Sequence, residues 1–157
     1  MRRRTDYIVI HCSATKASSD IGADEIEQWH KAKGWSGIGY HSVIRRNGQV
    51  EFGRHFDEPG AHVEGQNYRS VSICLVGGLD ESGKPENNFT DPQWRSLEAT
   101  VLMLKCAYPL ALVLGHRDLS PDTDGDGVVE PQEWLKDCPC FDAREWFASL
   151  NRHEEAA

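Results

Sequence analysis

Long apolar runs, an excess of positive charge and an even set of cysteines are all missing from this sequence of 157 residues. A helix that crosses a bilayer needs about 20 consecutive apolar residues. The apolar stretches here are far shorter, so no membrane insertion is expected. Lys and Arg number 17 against 25 Asp and Glu, a formal charge of -8. That balance argues against nucleic acid as the main partner, because phosphate backbones are bound chiefly through basic side chains. The cysteines (Cys12, Cys74, Cys106, Cys138 and Cys140) form an odd set of 5. Without a leader to an oxidising compartment they read as free thiols or thiolate ligands, not as a disulfide framework. The opening MRRRTDYIVIHCSAT is basic, but its apolar segment, residues 7–10, is too short for a signal-peptide core, so synthesis in the cytoplasm is expected. Internal repeats and low-complexity linkers are missing too, which leaves one domain over residues 1–157. A chain of that length buries roughly 70% of the surface its unfolded form exposes and needs no disulfide to hold a core.

What is present alternates between strand and helix patterns. Residues 7–11 are apolar and β-branched until the histidine, as in a central strand covered on both faces. Residues 23–33 carry Ile26, Trp29 and Ala32 at three-residue spacing before Gly34, the pattern of an amphipathic helix. Residues 40–46 and 49–54 flank Asn47-Gly48, a pair suited to a type I′ hairpin turn. Residues 71–76 read as a further buried strand. Thr90-Asp91-Pro92-Gln93 offers a capping box and a first-turn proline to a helix that runs to about residue 107. Residues 110–114 form an apolar strand that ends, like the first, at a histidine, here His116. Residues 142–150 close the chain with a helix that carries Ala143, Trp146, Phe147 and Leu150 on one face. The fold class that follows is α/β, a single domain with a central mixed β-sheet flanked by helices.

Of the 7 histidines, His30 on a helix and His153 in the tail read as solvent-exposed polar residues. His11 and His116 differ, because each ends a buried strand, where an open α/β sheet presents functional side chains. A histidine satisfied by backbone fits either position alone. A third donor would make a zinc site, since catalytic zinc takes three protein ligands and keeps a fourth position open. Cys138 or Cys140, in KDCPCFD, can supply that thiolate; the competing reading is two small buried residues beside Pro139 and Phe141.

Seven segments in order carry a resemblance. They are IHCSAT (residues 10–15), IEQWHKAKGWSGIGYHSVIRRNGQVEFGR (26–54), GAHVEGQN (60–67), ICLVGG (73–78), NFTDPQ (88–93), GHRD (115–118) and KDCPCFD (136–142). Together they resemble the zinc-dependent N-acetylmuramoyl-L-alanine amidases. The likeness is greatest to the small amidase-type lysozymes, or endolysins, of bacteriophages, which are kin to the peptidoglycan recognition proteins. The resemblance implies the amidase fold, with zinc (Zn2+) held by His11, His116 and Cys138. Cys140 stands where phage relatives commonly have a small residue such as serine, and is kept outside the ligand set. Tyr40 and Lys136 match the family's active-site tyrosine and lysine. The implied partner is peptidoglycan, and the target bond is the amide between the lactyl group of N-acetylmuramic acid and L-alanine.

In such a site a metal-bound water has a pKa near about 7. Tyr40 and Lys136 would stabilise the oxyanion, and which of them moves the proton is left open. His62 and Asn67 of GAHVEGQN become candidate substrate contacts, as does Trp35, which can equally pack the helix end. Cys12 and His41 adjoin catalytic positions but should point to the opposite faces of their strands, into the core. The implied protein is a monomeric lysin that reaches the wall through membrane lesions made by another protein. Relatives that lack the cysteine bind the wall without cutting it, so the presence of Cys138 favours the enzyme.

One stretch lies outside that resemblance. DTDGDGVVEPQE, residues 122–133, fits the EF-hand loop pattern D-x-[DN]-x-[DN]-G-x5-E. Asp122, Asp124, Asp126 and Glu133 would give carboxylates and Val128 a carbonyl to a structural calcium ion (Ca2+), with Gly127 at the sharp turn. A solvated acidic turn is the plainer reading, although five carboxylates in twelve residues repel one another without a cation. An EF-hand pair is not supported, since there is no second loop and Leu119-Ser120-Pro121 gives no entering helix. The stretch lengthens the connection from His116 to Lys136 to 20 positions, more than in the phage relatives. A longer flexible connection loosens the geometry at its ends. The expectation is therefore that calcium folds the insertion and so positions Lys136 and Cys138.

Overall fold

The computed structural model describes residues 4–154, and side chains as far as Leu150, so the expectation for His153 falls outside them. The elements in chain order are β1 (Tyr7–Cys12), β2 (Thr15–Lys16), α1 (Ala23–Ala32), β3 (Ser42–Ile44), β4 (Val50–Phe52), β5 (Ser70–Leu75), β6 (Gly78–Leu79), α2 (Asp91–Ala107), β7 (Leu112–Gly115) and α3 (Ala143–Glu154). Short 3-10 turns lie at Asn67–Arg69, His116–Leu119 and Pro131–Glu133. The main sheet has the order β4-β3-β5-β1-β7, parallel except for the antiparallel β3–β4 pair, and β2 pairs separately with β6. The mixed α/β sheet with flanking helices is thus as the sequence implied.

Alternation along β1 divides the core. Ile8, Ile10 and Cys12 face Leu97, Val101 and Leu104 of α2 and Ala143 of α3. On the other face Val9 meets Val63 and Leu114, and Ile26 of α1 packs with Val43, Cys74 and Val76. Full burial of an aliphatic side chain of this kind contributes about 1.5–3 kcal/mol. The start of α2 is capped as its sequence suggests: Thr90 Oγ1 accepts from Gln93 N–H at 3.3 Å, and Gln93 Oε1 accepts from Thr90 N–H at 3.1 Å.

The β3–β4 hairpin differs from expectation. Its strands are shorter, and Gly48 has a positive φ (86°) while Asn47 does not. A type I′ turn needs positive φ at both central residues. Here Gly48 N–H donates to Arg45 O (2.8 Å) and Arg45 N–H to Gln49 O (2.9 Å), a type I turn closed by a left-handed glycine. For function, the decisive feature is register. Ile10 of β1 sits opposite Gly115 of β7 in a parallel pair, so the next residues, His11 and His116, leave the same end of the sheet side by side.

Candidate metal centre and active site

His116 Nδ1 lies 3.1 Å from His11 Nδ1, and Cys138 Sγ lies 3.8 Å from the same atom. The donor atoms of all three residues fall within 4.8 Å of one another. Tetrahedral zinc with ordinary Zn–N and Zn–S bonds would separate two nitrogens by about 3.3 Å and a nitrogen from a sulfur by about 3.6 Å. The donor set fits that ion in both spacing and chemistry. Backbone contacts hold the cysteine in place: Cys12 N–H donates to Cys138 Sγ (3.3 Å) and Arg117 N–H to Cys138 O (2.9 Å). Burial pushes the His11 imidazole well below its ordinary pKa, helped by the neighbouring His62 and His116 imidazoles and the Lys136 ammonium. Burial and then Lys136 push His116 down to about 4. Both rings are neutral at pH 7 and so present lone pairs, the form that binds a metal.

Tyr40 and Lys136 border the same three residues. The Tyr40 ring centroid is 5.1 Å from that of His11. Burial first, then the neighbouring Cys74 and Cys138, keeps the Tyr40 hydroxyl well above its ordinary pKa, so it remains protonated and able to donate. Lys136 is exposed, and its charge lowers the pKa of both imidazoles. Tyr40, Lys136 and the His-His-Cys group line a cleft of about 300 Å3. A shallower groove of about 580 Å3 adjoins it, shares His116 and Lys136, and includes Trp35, His62 and Asn67. Trp35 packs the helix end, with its ring centroid 4.5 Å from that of His30 in α1, and it also lines the groove.

Several histidines lie where sequence position alone does not put them. His30 is buried, against the expectation of an exposed polar residue, and its Nδ1 accepts from Gly39 N–H at 2.9 Å. Ile26 on the same side of α1 packs into the core and carries His30 inward with it. His41 is in the core as expected, with Nε2 on Glu58 O (3.0 Å) and Nδ1 beside Ser72 Oγ (2.9 Å). Cys12 is buried as expected, and its Sγ lies 3.8 Å from Cys140 Sγ. Cys140 Sγ rests against the carbonyls of Asp137 (2.9 Å) and Gly78 (3.2 Å) and is not one of the three converging donors.

His62 borders the groove but is mostly buried, and both of its ring nitrogens are engaged: Nδ1 with His11 Nε2 at 3.0 Å, Nε2 with Ser70 Oγ at 3.2 Å. Asn67 Oδ1 accepts from the backbone N–H groups of His62 (2.8 Å) and Val63 (3.1 Å). These internal roles were missed from sequence, although Gly60 was a signal: a Cβ there would collide with the His62 ring.

The acidic insertion behaves differently. The carboxylates of Asp122, Asp124 and Asp126 are exposed and have oxygens within 4.8 Å of one another. Asp122 accepts from Gly125 N–H (2.6 Å) and Gly127 N–H (2.9 Å), and Asp126 from Val128 N–H (2.8 Å). Glu133 is not one of the three converging carboxylates. It accepts from the Thr123 hydroxyl (2.7 Å) and the Glu130 N–H (3.0 Å), and hydrogen bonding led by Thr123 lowers its pKa to about 2.

The long connection is fastened at its ends by direct contacts. Arg117 pairs with Asp137 (2.9 Å) and lies 4.0 Å from the Trp134 ring centroid, while Leu135 N–H donates to Ser120 Oγ (3.1 Å). Contacts outside the acidic tip therefore close the insertion at its base.

With this geometry in view, four likenesses bear on the chain. Residues 1–133 match the N-acetylmuramoyl-L-alanine amidase family, a span that holds His11, Tyr40 and His116 and ends before Lys136 and Cys138. The endolysin of Klebsiella phage KP32 is 45% identical over 146 residues, 93% of this chain and 87% of that protein. Among solved structures, the N-acetylmuramoyl-L-alanine amidase LysC from Clostridium intestinale has a TM-score of 0.73 and 29% identity, covering 94% of this chain and 86% of that one. Bumblebee PGRP-SA, at 21% identity and a TM-score of 0.69 over 93% of this chain and 81% of its own, shares the fold.

Proposed function

The chain belongs to the N-acetylmuramoyl-L-alanine amidase family, and from that premise we propose that it is a zinc-dependent endolysin that cuts peptidoglycan between N-acetylmuramic acid and the L-alanine of the stem peptide. The observation that carries this reading is the convergence of the His11, His116 and Cys138 donor atoms on a cleft that also holds Tyr40 and Lys136. Zinc held by those three residues would supply Lewis acidity and an ionisable water near neutral pH. Lys136 sets a positive charge beside the carbonyl, where an oxyanion develops during attack. Tyr40, kept protonated by burial, offers a hydroxyl donor next to His11. Trp35 and Asn67 border the groove that would take sugar and peptide. The enzyme would be made in the cytoplasm and meet the wall once another protein has opened the membrane; no helix among the described residues is long and apolar enough to cross a bilayer.

The test is release of new L-alanine amino termini from purified peptidoglycan. Zinc-loaded wild type should generate them and His116→Ala should not. Retention of wild type on the wall with no new amines would make the protein a binding module and overturn the proposal.

A smaller proposal concerns the insertion. Convergence of the Asp122, Asp124 and Asp126 carboxylates supports a structural calcium ion there, with the Val128 carbonyl completing the set and Glu133 joining after it leaves Thr123. Such a calcium would order the loop tip, while the base is closed by Arg117 and Ser120.

A further inference from the structure

A relay of hydrogen bonds runs from His11 into the protein: His11 Nε2 to His62 Nδ1 (3.0 Å), His62 Nε2 to Ser70 Oγ (3.2 Å), Ser70 Oγ to Gln66 O (2.8 Å). Its last member decides the rest. The Gln66 carbonyl can only accept, so the single Ser70 hydroxyl proton is committed to it, and Ser70 Oγ must accept from His62 Nε2–H. In a neutral imidazole only one nitrogen carries a proton, which makes His62 Nδ1 an acceptor and His11 Nε2–H the donor to it. The lone pair of His11 is thereby left on Nδ1, the atom that faces His116 Nδ1 and Cys138 Sγ.

We propose that His62, oriented by Ser70, is a positioning residue that fixes the tautomer and ring angle of His11 for metal binding, in place of the substrate contact its segment suggested. This rests on the zinc reading above. Metal-bound histidines generally anchor their second nitrogen on a carboxylate, carbonyl or water. In this chain a second histidine passes that anchoring on to a backbone carbonyl. The surroundings of His62 are built for one placement: Asn67 holds its backbone N–H, Gly60 leaves room for the ring, and Ser70 is fully buried. Ser70 does not line either cleft, so a solute in the groove does not reach it.

The experiment compares wild type with His62→Ala, His62→Asn and Ser70→Ala. Zinc affinity is measured by competition with a chelator, zinc-free melting serves as a folding control, and imidazole nitrogen chemical shifts report tautomers in the zinc-free proteins. Wild-type His11 should carry its proton on Nε2. His62→Ala should weaken zinc binding about 10–100-fold, Ser70→Ala should weaken it less, and His62→Asn, whose Oδ1 can take the place of Nδ1 as acceptor, should recover most of the loss. KM on peptidoglycan should hardly change when zinc is saturating.

A His11 proton on Nδ1 in wild type would overturn the inference, as would unchanged zinc affinity in His62→Ala combined with a raised KM. If His62→Ala does not fold, the wild-type tautomer and the zinc affinity of Ser70→Ala decide. If wild type takes up no zinc, the proposed function fails, and the tautomer readout still tests the relay.

Discussion

His11 and Cys138 stand 127 positions apart, whereas Asp122, Asp124 and Asp126 fall within one short turn, and yet each set brings its donor atoms within 4.8 Å. The first set is built from two strand ends and a returning loop, is largely buried, and consists of neutral rings and a thiol. The second is local, exposed and all carboxylate, and its shape comes from backbone amides within the turn. Charge interactions are far stronger away from water, and a donor set already held in place loses less freedom when it binds a ligand. The buried set is therefore suited to chemistry, and the exposed one to ordering a loop. A motif that is conspicuous in sequence can be energetically minor, and a site that carries the reaction can be scattered along the chain.

The comparison is broken most directly at Cys138. Cys138→Ala should abolish amidase activity and weaken zinc binding severely, while Asp124→Asn should leave both within about twofold, the usual range for an exposed substitution. Equal losses in the two variants, read by amine release and chelator competition, would show that the sites act as one.

A middle effect is expected at the joint between the two regions. Arg117→Ala removes the pair with Asp137 and the stacking on Trp134. That should cost about 1–2 kcal/mol, a Tm lower by about 2–6 °C, with activity reduced because Lys136 and Cys138 lose their tether. An unchanged melting curve would remove Arg117 as the latch.

The smallest effect belongs to the acidic tip. Calcium at about 100-fold over its Kd should stabilise the zinc-loaded protein by at most about 2.7 kcal/mol. Replacing Asp122, Asp124 and Asp126 together by Asn should remove that gain, with activity held within about twofold. If calcium removal instead stops wall hydrolysis, the insertion controls the catalytic region after all.

Much of the fold was legible because its signals are local. The run in β1, the Thr90-Gln93 box before α2 and the apolar face of α3 each depend on neighbours a few residues away. The hairpin around Gly48 was misjudged in turn type because Asn47-Gly48 is compatible with more than one turn, and backbone angles decide between them. His11 and His116 could be singled out as strand-end histidines. His30 and His62 could not be placed, since a histidine on an amphipathic helix or in a glycine-rich loop looks the same in sequence whether it faces water or the core.

Local order alone was enough for the strands of the main sheet, the start of α2, the two histidines at strand ends and the acidic loop. Assigning the thiolate to Cys138 needed either likeness to a family or the fold itself. Only tertiary structure decided that His62 stands behind His11, that Glu133 turns to Thr123, and that Arg117 closes the base of the insertion. The reason is physical. Helix and strand signals repeat over a few residues, whereas these partners meet because the parallel register of β1 with β7 and β5 brings distant segments to one end of the sheet.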